Sequence, residues 1–247
     1  MTMTLRNSLL AVPAAALLIN TGAHAIIVLG NGQTLNLGTL MAMNDRRVAI
    51  DDKIFDFESY NSTAFDASKI SLVGFISQNT NQYGLHNVGF DLTGPFGDGV
   101  PGDGHVQEGN LQYTVAVEQS TYEQGVRLCD ARSAFNGDAG GVGSYSRVDE
   151  TVFDVDGNTL LGELEVHNIA TATGNDEHLM DYRDFCDEHG TNGYRAFEVN
   201  KDFKFFASTE SGFASCSFIR QEFSQIPAPG ALALLGVAGM LGARRRR

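Results

Sequence analysis

The clearest hydrophobic pattern in the chain has a period of two. From Leu111 to Glu118, the residues Leu111, Tyr113, Val115 and Val117 share one face of an extended segment and mostly polar residues share the other, as in a half-buried strand. Val148–Asp154 and Thr159–His167 flank Asp156-Gly157-Asn158; Gly and Asn tolerate positive φ, so this stretch predicts a hairpin. In its second arm Leu160, Leu164 and Val166 are expected opposite Glu163, Glu165 and His167. Phe203–Ser208 and Phe213–Phe223 bracket Thr209-Glu210-Ser211-Gly212 and predict a second, closing hairpin. Apolar runs at Ile26–Leu29, Val48–Phe57 and Ile70–Ile76 add further strands. One amphipathic helix is expected over Asp176–His189, with Leu179, Tyr182, Arg183 and Cys186 along one side and Gly190 as its stop. Many short strands between Gly-rich turns predict an all-β fold, an antiparallel β-sandwich of jelly-roll type.

The two ends break this pattern. Met1–Arg6 carries one positive charge and no negative one, an apolar stretch runs from Leu9 to Ile19, and Ala23 and Ala25 put small side chains at −3 and −1 of a cleavage point. Residues 1–25 thus have the layout of a secretory signal helix, with signal peptidase as the processing partner. In residues 226–247, Ile226-Pro227-Ala228-Pro229-Gly230 precedes thirteen small or apolar residues, 231–243, and then Arg244, Arg245, Arg246 and Arg247. A membrane-spanning helix needs about 20 residues. A hydrophobic helix over 231–243 is therefore suited to temporary retention, with the arginines on the cytoplasmic side. Residues 26–225 show neither a repeat nor a linker and read as one domain.

The tail 226–247 resembles the PEP-CTERM sorting signal of Gram-negative bacteria: a Pro-Glu-Pro motif, an apolar helix and an Arg-rich end. The motif corresponds to Pro227-Ala228-Pro229, with Ala228 where Glu is usual. The resemblance implies transient residence in the inner membrane, cleavage by an exosortase-type enzyme, and delivery to the cell surface or the extracellular space. The body also resembles a group of PEP-CTERM proteins. Asp52-Lys53-Ile54-Phe55, followed by Phe57 and Tyr60, is similar to their early strand, with Asp51 where Gly is usual. Asn200-Lys201-Asp202 and Gln221-Glu222-Phe223-Ser224-Gln225 are similar to their late strands. This implies a secreted β-sandwich and carries over no catalytic residue.

Charge sharpens the picture. The 247 residues hold 17 basic and 30 acidic side chains, a net charge of −13. Removal of both ends takes five basic residues and no acidic one, leaving 12 against 30, or −18. Such a body argues against nucleic acid, which needs a basic face, and favours solubility and cation association.

Candidate chemistry is sparse. Cys129, Cys186 and Cys216 allow one disulfide in an oxidising compartment, in any of three pairings. Their wide spacing argues against zinc, and Cys186-x-x-His189 reads as an incidental pair. Weak calcium candidates are Asp98 and Asp103 on a Gly-rich loop, and Asp154 and Asp156 at the hairpin turn. The latter departs from a calcium loop at its sixth position, where Thr159 stands for Gly. The motifs of α/β-hydrolases, zinc proteases and phosphate loops are missing, and the six histidines are scattered. Glu163 and Glu165 could flank a glycosidic bond. Trp is absent, which weakens a sugar-stacking face, but Tyr60, Tyr83, Tyr113 and Tyr122 could supply one. The expectation is a non-enzymatic exported surface or matrix protein without a cofactor, with extracellular polysaccharide as a partner. The alternatives are a glycan- or calcium-binding module and, third, a secreted hydrolase.

Overall fold

The two-residue alternation folds into two packed sheets. The structure is a computed structural model and describes residues 26–81, 84–156 and 158–227. The predicted signal helix with Ala23 and Ala25, the tail from Ala228 through Pro229 to Arg247, and Tyr83 lie outside the described residues. The first elements are β1 (Ile27–Val28), β2 (Thr34–Asn36), α1 (Leu37–Met41), β3 (Arg47–Ile50), β4 (Lys53–Ser62) and β5 (Ser71–Thr80). Then come β6 (His86–Gly97), β7 (Gln107–Val117), α2 (Gln119–Glu123), β8 (Val126–Phe135), β9 (Asp138–Gly140) and β10 (Tyr145–Asp154). The chain continues through β11 (Thr159–Thr171), β12 (Gly174–His178), β13 (Met180–Asp184), α3 (Phe185–His189), β14 (Ala196–Phe206) and β15 (Phe213–Pro227).

The larger sheet has the order β1-β3-β4-β7-β14-β10-β11-β12; the smaller has β13-β8-β15-β6-β5-β2, with β9 also paired to β15. Apart from the short parallel pair β1–β3, neighbours are antiparallel. The expected antiparallel β-sandwich is therefore the fold. Leu111, Tyr113, Val115 and Val117 all face the core, as their alternation demands. Between the sheets Phe55, Phe90, Tyr113, Phe197 and Phe223 are fully buried, and the Phe90 and Tyr113 ring centroids lie 5.3 Å apart. Phe203 lies flat against Gly109, where a Cβ would come within 2.0 Å of its ring; a side chain at 109 would displace that ring.

Polar groups are also sealed inside. Lys53 is fully buried; its ammonium reaches Gln225 and Asp52, and Gln225 Nε2 donates to Asp52 at 2.6 Å. Burial pushes the Lys53 pKa down against the pull of Asp52. Lys201 pairs with Glu150 at 2.5 Å and donates to Ser133 at 3.2 Å. Asp52, Lys53, Gln225, Lys201, Glu150 and Ser133 thus supply much of this interior network. Asp51 has φ 53°, a left-handed turn that glycine adopts without cost.

Three expectations need correction. Asp176–His189 is not one helix: its first part pairs as β12 and β13, and only Phe185–His189 is helical. Strand partners on β11 and β8 override the helical spacing, and Leu179 and Tyr182 remain exposed. The short helix still ends at Gly190 (φ 62°), as expected. The predicted hairpin of 203–208 with 213–223 is instead a crossover, because β14 belongs to the larger sheet and β15 to the smaller. Strands β10 and β11 do pair as the expected hairpin, with Asn158 at φ 46°. A bulge beside Phe153, however, turns Leu161 inward and leaves Leu160 48% exposed. The last strand, β15, runs on to Pro227 and pairs there with Val126.

Candidate functional site

The distinctive surface is the outer face of the larger sheet. On β14 the odd-numbered residues Phe197 to Phe205 point inward, so Glu198, Asn200, Asp202, Lys204 and Phe206 point outward. Strand pairing then sets these side chains in rows across the sheet. One row is Asn61–Asn110–Asp202–Asp149–Glu165. The next is Ser59–Gln112–Asn200–Thr151–Glu163, and on the other side runs Glu108–Lys204–Arg147–His167. A fourth row begins with Phe206 and Tyr145, whose rings lie 5.6 Å apart, and continues to Ile169.

The rows are bonded to one another before any ligand arrives. Asn110 donates to Asn200 at 2.6 Å and to Asp202 at 2.8 Å, and Gln112 donates to Glu198 at 2.9 Å. Arg147 holds Asp149 at 2.7 Å and Glu165 at 3.0 Å, while Lys204 reaches Asp149 at 3.2 Å. Partial burial works against the Arg147 charge; Asp149 and Glu165 outweigh it, so its pKa is raised. Burial raises the Tyr145 pKa against the opposing pull of Lys204. Glu58, at the bulge in β4, has its carboxyl pushed up first by burial and then by Glu198 and Asp56.

Three adjoining hollows follow these rows. One of about 440 Å³ lies among Tyr145, Arg147, Asp149, Ile169 and Lys204. A second, about 400 Å³, is lined by Asn61, Asn110, Asp202 and Lys204, and a third, about 420 Å³, by Arg147, Asp149, Thr151, Glu163 and Glu165. They span β4 to β11, five neighbouring strands or about 19 Å at ordinary strand spacing. A smaller hollow of about 250 Å³ between Phe65, Ile70 and Phe96 carries none of the rows.

The aspartates singled out as calcium candidates do not converge. Asp98 accepts from the backbone of Val100 (3.0 Å) and Ala207 (2.8 Å), and Asp103 from His105 N at 2.7 Å. Asp154 accepts from Asp156 N at 3.1 Å. Asp98 sits beside one end of β14 and the 154–156 turn beside the other, roughly 35 Å apart along an 11-residue strand. Cys129 bonds Cys186, which joins β8 to α3 and leaves Cys216 buried and free. Among the described residues, Cys129, Asp184 and Cys186 form the one tight cluster of three such donors, and two of them are in that disulfide. His189 instead bonds Leu161 O at 2.8 Å. Glu163 and Glu165 do share the outer face, but Glu165 is tied to Arg147 and His167. Of the tyrosines, Tyr113 is fully buried, Tyr60 donates to Phe65 O at 2.6 Å, and Tyr122 lies under Arg127. On the outer face of the larger sheet the rings are those of Tyr145 and Phe206, both half-buried, which sequence reasoning missed. The signal was the alternation of amides and acids along 108–112 and 198–204.

Fold and face together define a β-sandwich protein with a pre-ordered hydrogen-bonding sheet surface. No protein-family model matches the chain, and no curated protein matches it. Similar solved structures include a carbohydrate-binding module described for specific mannan recognition: 8% identical, covering 77% of this chain and 95% of that one, TM-score 0.27. A DUF4465 family protein from Bacteroides caccae is 9% identical over 76% of this chain and 98% of its own, TM-score 0.25. The family 11 xylanase from Neocallimastix patriciarum is 8% identical over 79% and 99%, TM-score 0.27. The fold assignment stands on the strand order and pairing, and these likenesses add nothing to the reading of the face. Among the described residues no helix is long and apolar enough to cross a membrane.

Proposed function

We propose that this protein is a non-catalytic, exported module that binds a neutral polysaccharide on the outer face of its larger sheet. The carrying observation is the ladder of amides, carboxylates and cations in cross-strand register beside the Tyr145–Phe206 pair. Vicinal hydroxyls of a sugar are matched by paired acceptors and donors such as Asp202 with Asn110 and Asp149 with Lys204, and an apolar ring face suits Tyr145. Since these groups already hold one another, little side-chain entropy is lost on binding. The surplus of carboxylates over Arg147 and Lys204 disfavours an anionic glycan. Two of those carboxylates, Asp149 and Glu165, are tied to cations, an arrangement suited to holding a ligand rather than to moving a proton. Export rests on the signal layout of residues 1–25 and the sorting-type tail 226–247, and the Cys129–Cys186 bridge fits an oxidising compartment.

Affinity electrophoresis against neutral and uronic-acid polysaccharides tests the binding. Retardation by a neutral polymer, lost in Tyr145→Ala and Asp202→Ala, is expected. No retardation by any polymer, or equal retardation of both variants, would overturn the reading. Mass spectrometry of the protein from its native cells tests the processing: an N-terminus at Ile26 and no arginine tail are expected, and an intact tail on the exported protein would refute cleavage.

A further inference from the structure

Two strands at the edge of the larger sheet each carry a carboxylate and a histidine at i and i+2, Glu165-Val166-His167 on β11 and Asp176-Glu177-His178 on β12. Residues two apart on a strand share a face, and His167 is the direct cross-strand partner of His178. The two imidazole centroids lie 5.8 Å apart. Glu165 Oε1 holds His167 Nδ1 at 2.9 Å, which leaves Nε2 pointing the other way. That Nε2 is buried and makes no hydrogen bond, and Asp176 Oδ2 faces it at 3.7 Å, beyond hydrogen-bonding distance.

This is the arrangement a metal-binding histidine usually has, with one ring nitrogen oriented by a carboxylate and the other free to ligate. Two ligand atoms about 2.0–2.2 Å from one tetrahedral ion lie about 3.3–3.5 Å apart, and the two rings of a bis-imidazole site have centroids about 5 Å apart. The 3.7 Å between His167 and Asp176 is near the first value; His178, with its ring centroid 5.8 Å from that of His167, must turn to bring a nitrogen into the site. His178 and Asp176 are exposed on the edge strand and free to make that adjustment. The nearest cation, Arg147, is the cross-strand neighbour of His167 but is engaged with Asp149 at 2.7 Å and with Glu165 Oε2 at 3.0 Å. We infer that His167, His178 and Asp176 bind a divalent ion of the zinc class, with Glu165 as the positioning residue for His167. Imidazole with a carboxylate suits zinc better than calcium, which prefers an all-oxygen shell. The inference does not rest on glycan binding, although Glu165 and His167 also belong to the rows of that face.

Calorimetric titration of the full chain with ZnCl₂ is the test. One saturable site per chain is expected, weakened at least about tenfold in His178→Ala and in His167→Ala, and by about tenfold in Glu165→Gln. His105→Ala, in an exposed loop, serves as the control and should bind as the parent does. His178 is exposed on the edge strand β12, so its removal should leave folding intact. In NMR spectra the imidazole signals of His167 and His178 should shift together on zinc addition. Absence of saturable binding, or undiminished binding in the His167→Ala/His178→Ala double variant, would overturn the assignment.

Discussion

Lys201 and Lys204 lie one strand face apart on β14, and each is paired with a carboxylate of β10. The Lys201–Glu150 pair is fully buried at 2.5 Å; the Lys204–Asp149 pair spans 3.2 Å with side chains 34% and 28% exposed. The same chemistry does two jobs because the pleat sends one pair inward and the other outward. The inner pair has lost its water, so its attraction largely offsets desolvation and its consequence is register. A one-residue slip would carry Lys201 to the surface and Asp202 into the core. The outer pair keeps its water, is worth only about 0–1 kcal/mol, and can exchange its partners for a ligand's hydroxyls.

Breaking the inner pair should have the largest effect. Lys201→Met leaves Glu150 buried and uncompensated and should cost about 3–5 kcal/mol in urea denaturation. Adding Glu150→Leu should recover most of that loss. A single variant as stable as the parent would remove the distinction between the faces. The covalent tie between β8 and α3 comes next. Cys129→Ser with Cys186→Ser should cost about 2–4 kcal/mol, and reductant should destabilise the parent to the same level. Cys216 has its thiol pushed up to about 12 by burial, so the native protein should resist iodoacetamide at neutral pH; rapid labelling there would contradict its burial.

Glu222 lies between the two extremes. It is nearly buried on β15, and burial raises its carboxyl pKa despite the opposing charges of Arg132 and Arg220. A raised folded-state pKa contributes stability that is fully present below the unfolded value of 4.5 and is lost as pH rises through the folded value. Glu222→Gln, which mimics the neutral form, should therefore match the parent in mild acid and exceed it at pH 7. Denaturation midpoints that keep a constant difference across that range would show that Glu222 titrates as it does in the unfolded chain.

The limits of sequence reading follow from the same geometry. Period two at 111–117 identified inward residues correctly because a core face needs only local alternation. It could not reveal that Lys201 belongs among them, since a lysine in a strand pattern reads as solvent-facing until Glu150 is placed beside it. The 203–223 stretch was misread because a turn between two strands looks alike whether they pair or separate into different sheets. Asp176–His189 had a helical spacing that β11 and β8 overrode by supplying strand partners. The site failed to show for a related reason. Asn110, Asp202, Asp149 and Glu165 are distant in sequence and become a row only through three registers. His167 and His178 likewise looked scattered until a hairpin made them neighbours.

The smallest effect on stability is expected at Lys204, and it carries the most functional weight. Lys204→Ala removes one partner of Asp149, but Arg147 still holds that carboxylate at 2.7 Å, and water can reach both. The unfolding free energy should change by no more than about 0.5 kcal/mol. Lys204 lines both the hollow beside Tyr145 and the one beside Asn110, so a bound glycan chain would lose a donor at the junction. Retardation by the neutral polysaccharide should fall roughly tenfold, about the effect of one charge-assisted hydrogen bond. Loss of binding with unchanged stability would separate the two faces as argued, the inner one holding register and the outer one holding ligand. A stability loss comparable to that of Lys201→Met would instead show that the outer ladder is structural, and would move the binding site off this face.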